Sequence, residues 1–322
     1  MNALVKTAAG PGHLELCDVP IPEIGDDDVL MKVTYCGVCG SDLHMESWLH
    51  DCSPPVVLGH EYTGVVAQVG AGVTQFRDGD LVSYYRAPNP FPGVIADGGF
   101  AEYMRLPAAS LWKTPDGVTP EEATQFETVL PPMEAVRDVA RLKPGERVVV
   151  TGPGQIGLLI TNIARIAGAS HITVLGGPDD EAVRLPLARD MGADEAAPFG
   201  EEALATLKGK NAPAVWFEAS GAAPAIEAAV DHVAQRGRVV ITGIGSGPWN
   251  VNMWRVARHS LRLLGLWGGN HAALEQAVEW IRAGELDMSA TIAGIMPLTE
   301  WQEAFSKLRR KEAVKILLDP SQ

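Results

Sequence analysis

The stretch ERVVVTGPGQIGLLITNIARIAGA (146–169) decides the architecture of this chain. ERVVVTG (146–152) is a short, continuous apolar run, the pattern of a strand buried on both faces of a parallel sheet. It leads directly into Gly152-Pro153-Gly154-Gln155-Ile156-Gly157, a GxGxxG, and then into the helical pattern IGLLITNIARIAGA. Six-residue glycine patterns occur by chance, but strand, glycine turn and helix in this order are the context a dinucleotide site requires. The glycines allow a tight turn, close approach of a pyrophosphate and close helix–strand packing. The helix N-terminus adds unpaired N–H groups and a partial positive charge.

Working outward, strands and helices alternate from here on. HITVLGG, AVWFEASG, RVVITGIG and LRLLGLWGG read as strands, with RLPLARDMGAD and APAIEAAVDHVAQRG as helices between them. That alternation predicts a doubly wound parallel sheet of the Rossmann kind, an α/β fold. Gly176, Gly177 and Gly243, at the ends of such strands, join Gly152, Gly154, Gln155, Ile156 and Gly157 in the expected cofactor-binding set. An NAD site places an acidic residue at the end of the second strand, for the ribose 2′-hydroxyl. Here that position is Gly176-Gly177-Pro178; Asp179 and Asp180 come late and Arg184 later still. The missing carboxylate leans the reading from NAD toward NADP, with Arg184 either a partner for the 2′-phosphate or an exposed helix residue. The region before 146 holds one long helical pattern, PEEATQFETVLPPMEAVRDVARL, and the tail holds two more and a last strand, VKILLD.

The first 114 residues read as short strands separated by turns, the pattern of a compact β-barrel-like domain. Within them CGVCGSDLHMESWLHDCSPPVVLGHE (36–61) gathers Cys39, Ser41, Asp42 and His44, followed by His60 and Glu61. Sulfur, nitrogen and a carboxylate form a donor set for Zn²⁺, and a set short of four protein donors marks a catalytic metal. Taken singly, each residue is more often core or scaffold. Flanking Gly37, Gly40 and Gly59 permit close approach, and a charged pair directly after PPVVL has no structural purpose of its own. The expectation is a metal held by loops.

A length of 322 residues suits two domains, and a net charge of −14 disfavours nucleic acid and anionic membranes as partners. No apolar run approaches a membrane span, and the first residues lack a signal-peptide core, so a cytoplasmic protein is expected. The four cysteines, Cys17, Cys36, Cys39 and Cys52, fit metal chemistry better than a disulfide framework in such a chain.

With GVCGSDLH, GHE and GPGQIG in this order, the chain resembles the zinc-dependent medium-chain alcohol and polyol dehydrogenases over essentially its whole length. The resemblance implies a GroES-like catalytic domain (1–127 and 269–322) and an inserted Rossmann domain (128–268), with the active site in the cleft between them. It implies Cys39 and His60 as zinc ligands, Glu61 as a neighbouring carboxylate that ligates in some states, and Glu127 as the remaining ligand. Asp42 would orient His60, and Ser41 and His44 would relay the alcohol proton. The structural-zinc lobe of the family is missing, since no cysteine follows Cys52, so one zinc per chain is expected. A homo-oligomer, dimer or tetramer, is implied, although that lobe contributes to subunit contacts in relatives. The paired prolines of TVLPPMEAV also depart from the family's usual helix.

The function so implied is hydride transfer between a secondary alcohol, polyol or sugar-like hydroxyl and NAD(P). Trp48, Tyr62 and Trp267 are pocket or packing residues. A zinc-free quinone or enoyl reductase of the same superfamily is the nearest alternative, against which the retained metal residues argue. A redox-inactive nucleotide-binding protein and a zinc hydrolase stand further off.

Overall fold

The computed structural model describes residues 1–245 and 248–322. The chain divides into two units, Met1–Glu127 with Ile292–Gln322, and Thr128–Thr291. The return to the first unit therefore falls at 292, where the sequence pointed to 269. The intervening stretch stays with the second unit through its own contacts: Gln276 accepts from Arg137 and the Asp287 amide donates to Asn162, at 3.1 Å each.

In the first unit, β1 (Asn2–Lys6) and β2 (Leu14–Asp18) form the expected antiparallel pair, with Val5 opposite Glu15. β3 (Asp28–Gly37) leads to α1 (Gly40–Glu46), β4 (Val56–Val57) and β5 (Glu61–Val69). β6 (Leu81–Tyr84), β7 (Tyr103–Pro107) and β8 (Leu111–Lys113) follow, then α2 (Pro120–Ala123). The long helix expected over 120–142 is broken. α3 (Phe126–Glu134) contains Pro131 and Pro132, and a π-turn over Ala135–Val139 follows it. Two adjacent prolines remove two helical donors and crowd the preceding turn. The chain resumes with the wider spacing seen in the Ala140 amide donating to the Ala135 carbonyl at 2.8 Å.

The second unit continues with β9 (Arg147–Thr151), α4 (Gln155–Ile166), β10 (His171–Gly176) and α5 (Arg184–Asp190). Next come β11 (Glu195–Pro198) and α6 (Glu201–Thr206), too short and polar to stand out in the sequence. β12 (Val215–Glu218), α7 (Ala223–His232), β13 (Arg238–Ile241), α8 (Met253–His259), β14 (Arg262–Gly265) and α9 (Leu274–Arg282) complete it. The sheet order is β11-β10-β9-β12-β13-β14, every pair parallel. Numbered within the unit this is 3-2-1-4-5-6, the doubly wound order, whose direction reverses between β9 and β12. Val149, Trp216, Val230 and Val239 lie in its core, and the Trp216 indole N–H donates to Thr151 at 3.1 Å.

The chain then rejoins the first unit through β15 (Ile292–Pro297), α10 (Trp301–Arg309) and β16 (Lys315–Asp319). β16 lies antiparallel to β3, with Leu318 opposite Cys36 and Leu317 opposite Gly37; across β3, Gly37 faces Glu61 of β5. The register thus brings the last strand of the chain beside the GHE segment. Among the described residues, no helix is long and apolar enough to cross a membrane.

Candidate metal centre and dinucleotide turn

Ligand atoms of Cys39, His60 and Glu61 lie within 4.8 Å of one another, the spread expected of donors around one ion. The expectation of ligands on loops is only half right. Cys39 is the N-cap of α1, while Glu61 opens β5 directly after His60. Asp42, fully buried, ties the two together. One of its oxygens accepts from the Cys39 amide at 2.8 Å, and the other faces His60 Nδ1 at 3.7 Å. That leaves His60 Nε2 directed to the other side of the ring, where the Ser41 hydroxyl stands at 3.4 Å. Burial opposes a charge on His60, but Asp42, Cys39 and Glu127 outweigh it and raise the imidazole well above its usual range. An imidazole ringed by anions is a site prepared for a cation.

Glu127 falls outside this compact group. It is half-buried in the first turn of α3, and burial raises its carboxyl despite the opposing pull of His60. His44 lies one helical turn beyond Ser41 on α1, its pKa lowered by burial and then by His50. The loop between β6 and β7 contributes Phe91, whose ring centroid is 5.8 Å from that of His60. Tyr62 is core, Trp48 carries the Lys6 ammonium over its ring at 5.2 Å, and Trp267 is 73% exposed.

Sequence reasoning missed Lys315 altogether. Buried to 1% exposure on β16, it donates to both Glu61 oxygens, at 2.8 and 2.5 Å, and to the Val38 carbonyl at 3.0 Å. Its separation from Glu61 in sequence left no local signal. The one available hint was a lysine among the apolar residues of VKILLD.

In the second unit the glycine turn sits at the reversal point of the sheet. Gly152 has φ +89°, and a Cβ there would meet the Ser220 amide at 2.7 Å. A Cβ on Gly157 would lie 2.0 Å from the Gly152 carbonyl oxygen, whereas one on Gly154 would meet nothing within 4 Å. Two of the glycines are therefore demanded by the chain's own packing. The middle one, N-cap of α4, faces open space where an anion can approach the helix N-terminus. Gln155 donates to Thr291 at 3.0 Å, and Ile156 continues α4. Gly243 packs against Gly221 and the fully buried Glu218, which accepts from the Ser220 and Gly221 amides at 2.8 and 3.0 Å. At the end of β10 the Gly177 amide donates to Asp180 at 2.7 Å. Arg184 is mostly buried and lies 3.6 Å from Asp180.

Comparison with known proteins agrees with this anatomy. Residues 25–116 match the alcohol dehydrogenase GroES-like domain, and residues 156–283 match the zinc-binding dehydrogenase domain. The chain is 32% identical to L-threonine 3-dehydrogenase of Saccharopolyspora erythraea, with 99% of each covered. It is 30% identical to sorbitol dehydrogenase of Halalkalibacterium halodurans, again over 99% of both. A protein of Sinorhizobium meliloti 1021 described as a zinc-binding dehydrogenase, solved with NADP, superposes with a TM-score of 0.88 at 26% identity and 99% coverage of both chains.

Proposed function

The chain belongs to the zinc-type medium-chain dehydrogenases, and from that premise we propose that it interconverts a secondary alcohol, polyol or sugar-like hydroxyl and its carbonyl with NAD(P). The observation that carries this reading is the convergence of Cys39, His60 and Glu61 around Asp42 in one unit of a chain whose other unit holds a complete dinucleotide turn. Cys39, His60 and Glu127 would hold a single zinc, with Glu61 beside it; the buried anionic surroundings fit that ion, as does His60 Nε2, which points away from Asp42 on the Ser41 side of the ring. When bound, zinc supplies Lewis acidity to the substrate oxygen. Asp42, facing His60 Nδ1 at 3.7 Å, would orient the ring electrostatically so that Nε2 is left for the metal. Ser41, beside that nitrogen, receives the hydroxyl proton of the alcohol, and His44, an imidazole lowered by burial, passes it toward solvent.

The dinucleotide is NAD or NADP, and NADP is favoured. No carboxylate ends β10, and Asp180 is buried, accepting from the Gly177 amide and facing Arg184. Fluorescence titration should give a lower Kd for NADPH than for NADH; the reverse order would remove this preference. Substrate class is tested by assaying a panel of secondary alcohols, polyols and sugars with both cofactors. Absence of turnover across the panel, with both dinucleotides bound, would instead favour a nucleotide-binding protein without redox activity.

A homo-oligomer is also proposed. Met253 and Trp254 of α8 are 62% and 71% exposed, and Trp267 is exposed just past β14, the edge strand. Large apolar groups at a sheet edge call for a cover, and a second copy supplies one. Light scattering should give at least a dimer, and Trp254→Asp should shift it toward monomer. A wild-type monomer at micromolar concentration would dismiss the idea.

A further inference from the structure

Resting on the metal reading above, we propose that Lys315 is a positioning residue that decides how Glu61 relates to the metal. Glu61 is close enough to Cys39 and His60 to share an ion with them, and its side chain is fully buried. A buried carboxylate needs a cation, and two are on offer: the metal and Lys315. In this structure Lys315 takes both carboxylate oxygens. The ammonium is itself anchored by the Val38 carbonyl, which follows directly on β3. The carboxylate has little room to turn. A Cβ on Gly37, opposite Glu61 in the sheet, would lie 2.4 Å from Glu61 Oε2, so the glycine clears the space in which the pair sits.

Charge makes the consequence. With Cys39 and Glu127 as ligands, as proposed above, their two negative charges would already balance a divalent ion. A third anion in direct contact would bind the ion more tightly and leave it a poorer acceptor of substrate electron density. Lys315 neutralises that third anion and keeps it as an outer neighbour. The arrangement depends on β16, the last strand of the chain, so the metal site is completed by residues far from the GHE segment in sequence.

The test uses the full-length chain loaded with zinc or cobalt, competed against a chromophoric chelator. In the wild-type background Glu61→Gln should change zinc affinity by no more than about threefold, because Glu61 is not a ligand while Lys315 holds it. Lys315→Met should tighten zinc by about 10-fold or more and alter the visible cobalt spectrum. Lys315→Arg should restore the wild-type spectrum, and Lys315→Met combined with Glu61→Gln should return the affinity to the wild-type value. The inference is overturned if Glu61→Gln alone weakens zinc 10- to 100-fold, or if Lys315→Met leaves affinity and spectrum unchanged. Should Lys315→Met fail to fold, the Glu61→Gln measurement alone decides. A wild-type chain that binds neither zinc nor cobalt stoichiometrically overturns the functional reading itself, a distinct result.

Discussion

Cys39→Ala should leave below about 0.1 zinc per chain and lower kcat/KM by about 10³-fold or more. The size follows from what the metal contributes, several kcal/mol of charge stabilisation at the substrate oxygen, with each 1.36 kcal/mol a factor of ten. Cys39 is the sulfur donor of the set, and its neighbour Cys36 is no substitute, being fully buried in β3 with its thiol pushed well up by burial. The fold should survive, because Cys39 is half-exposed and its amide, not its sulfur, makes the 2.8 Å bond to Asp42. NADPH and NADH affinities should remain near wild type, since the glycine turn belongs to the other unit. Metal analysis, steady-state rates and dinucleotide titration on one preparation separate the effects. Full activity in a zinc-free Cys39→Ala protein would point to the metal-independent quinone or enoyl reductase chemistry.

The second large effect is expected at the glycine turn, where substitution of either of two glycines should lower dinucleotide affinity but only one of them stability. Gly157→Ala forces a Cβ to 2.0 Å from the Gly152 carbonyl oxygen, a contact that only a backbone shift can relieve. Overpacking of that kind costs about 1–3 kcal/mol or more, and the shift moves the turn that would cradle the phosphates. For this variant melting temperature and dinucleotide affinity should fall together, affinity by at least about tenfold at 1.4 kcal/mol per decade. Gly154→Ala adds its methyl to open space, so its melting temperature should stay close to wild type. Its dinucleotide affinity should still drop, because the methyl stands where the pyrophosphate would approach the N-terminus of α4. If Gly154→Ala binds both dinucleotides as well as wild type does, the pyrophosphate does not lie over this turn.

The residues that carried the sequence reading are those whose chemistry and local pattern coincide. ERVVVTG followed by GPGQIG could be read without tertiary knowledge because one strand, its turn and one helix are contiguous, and the parallel sheet followed from the alternation around them. Cys39 and His60 were legible for the same reason, as reactive side chains set among glycines. Local signals were weaker where polarity or length hid an element. β11 is short, α6 is short and buries no side chain, and α1 lay concealed inside a cluster read as loop. The helix over 120–142 was over-read: its apolar periodicity is real, yet Pro131 and Pro132 interrupt the hydrogen bonding that periodicity presumes.

What residue order along the chain settled was the kind of unit each segment makes and the chemistry of its donors, because strand periods, helix periods and ligand types are properties of neighbours. Which donors meet was left to the folded chain. The pairing of β16 with β3, and of β3 with β5, sets Lys315 against Glu61 across 254 residues, while Glu127 stays outside the group of three. No short-range pattern encodes such an encounter. It arises only when sheet register has placed distant side chains in one buried space, where a charge must find its counterpart.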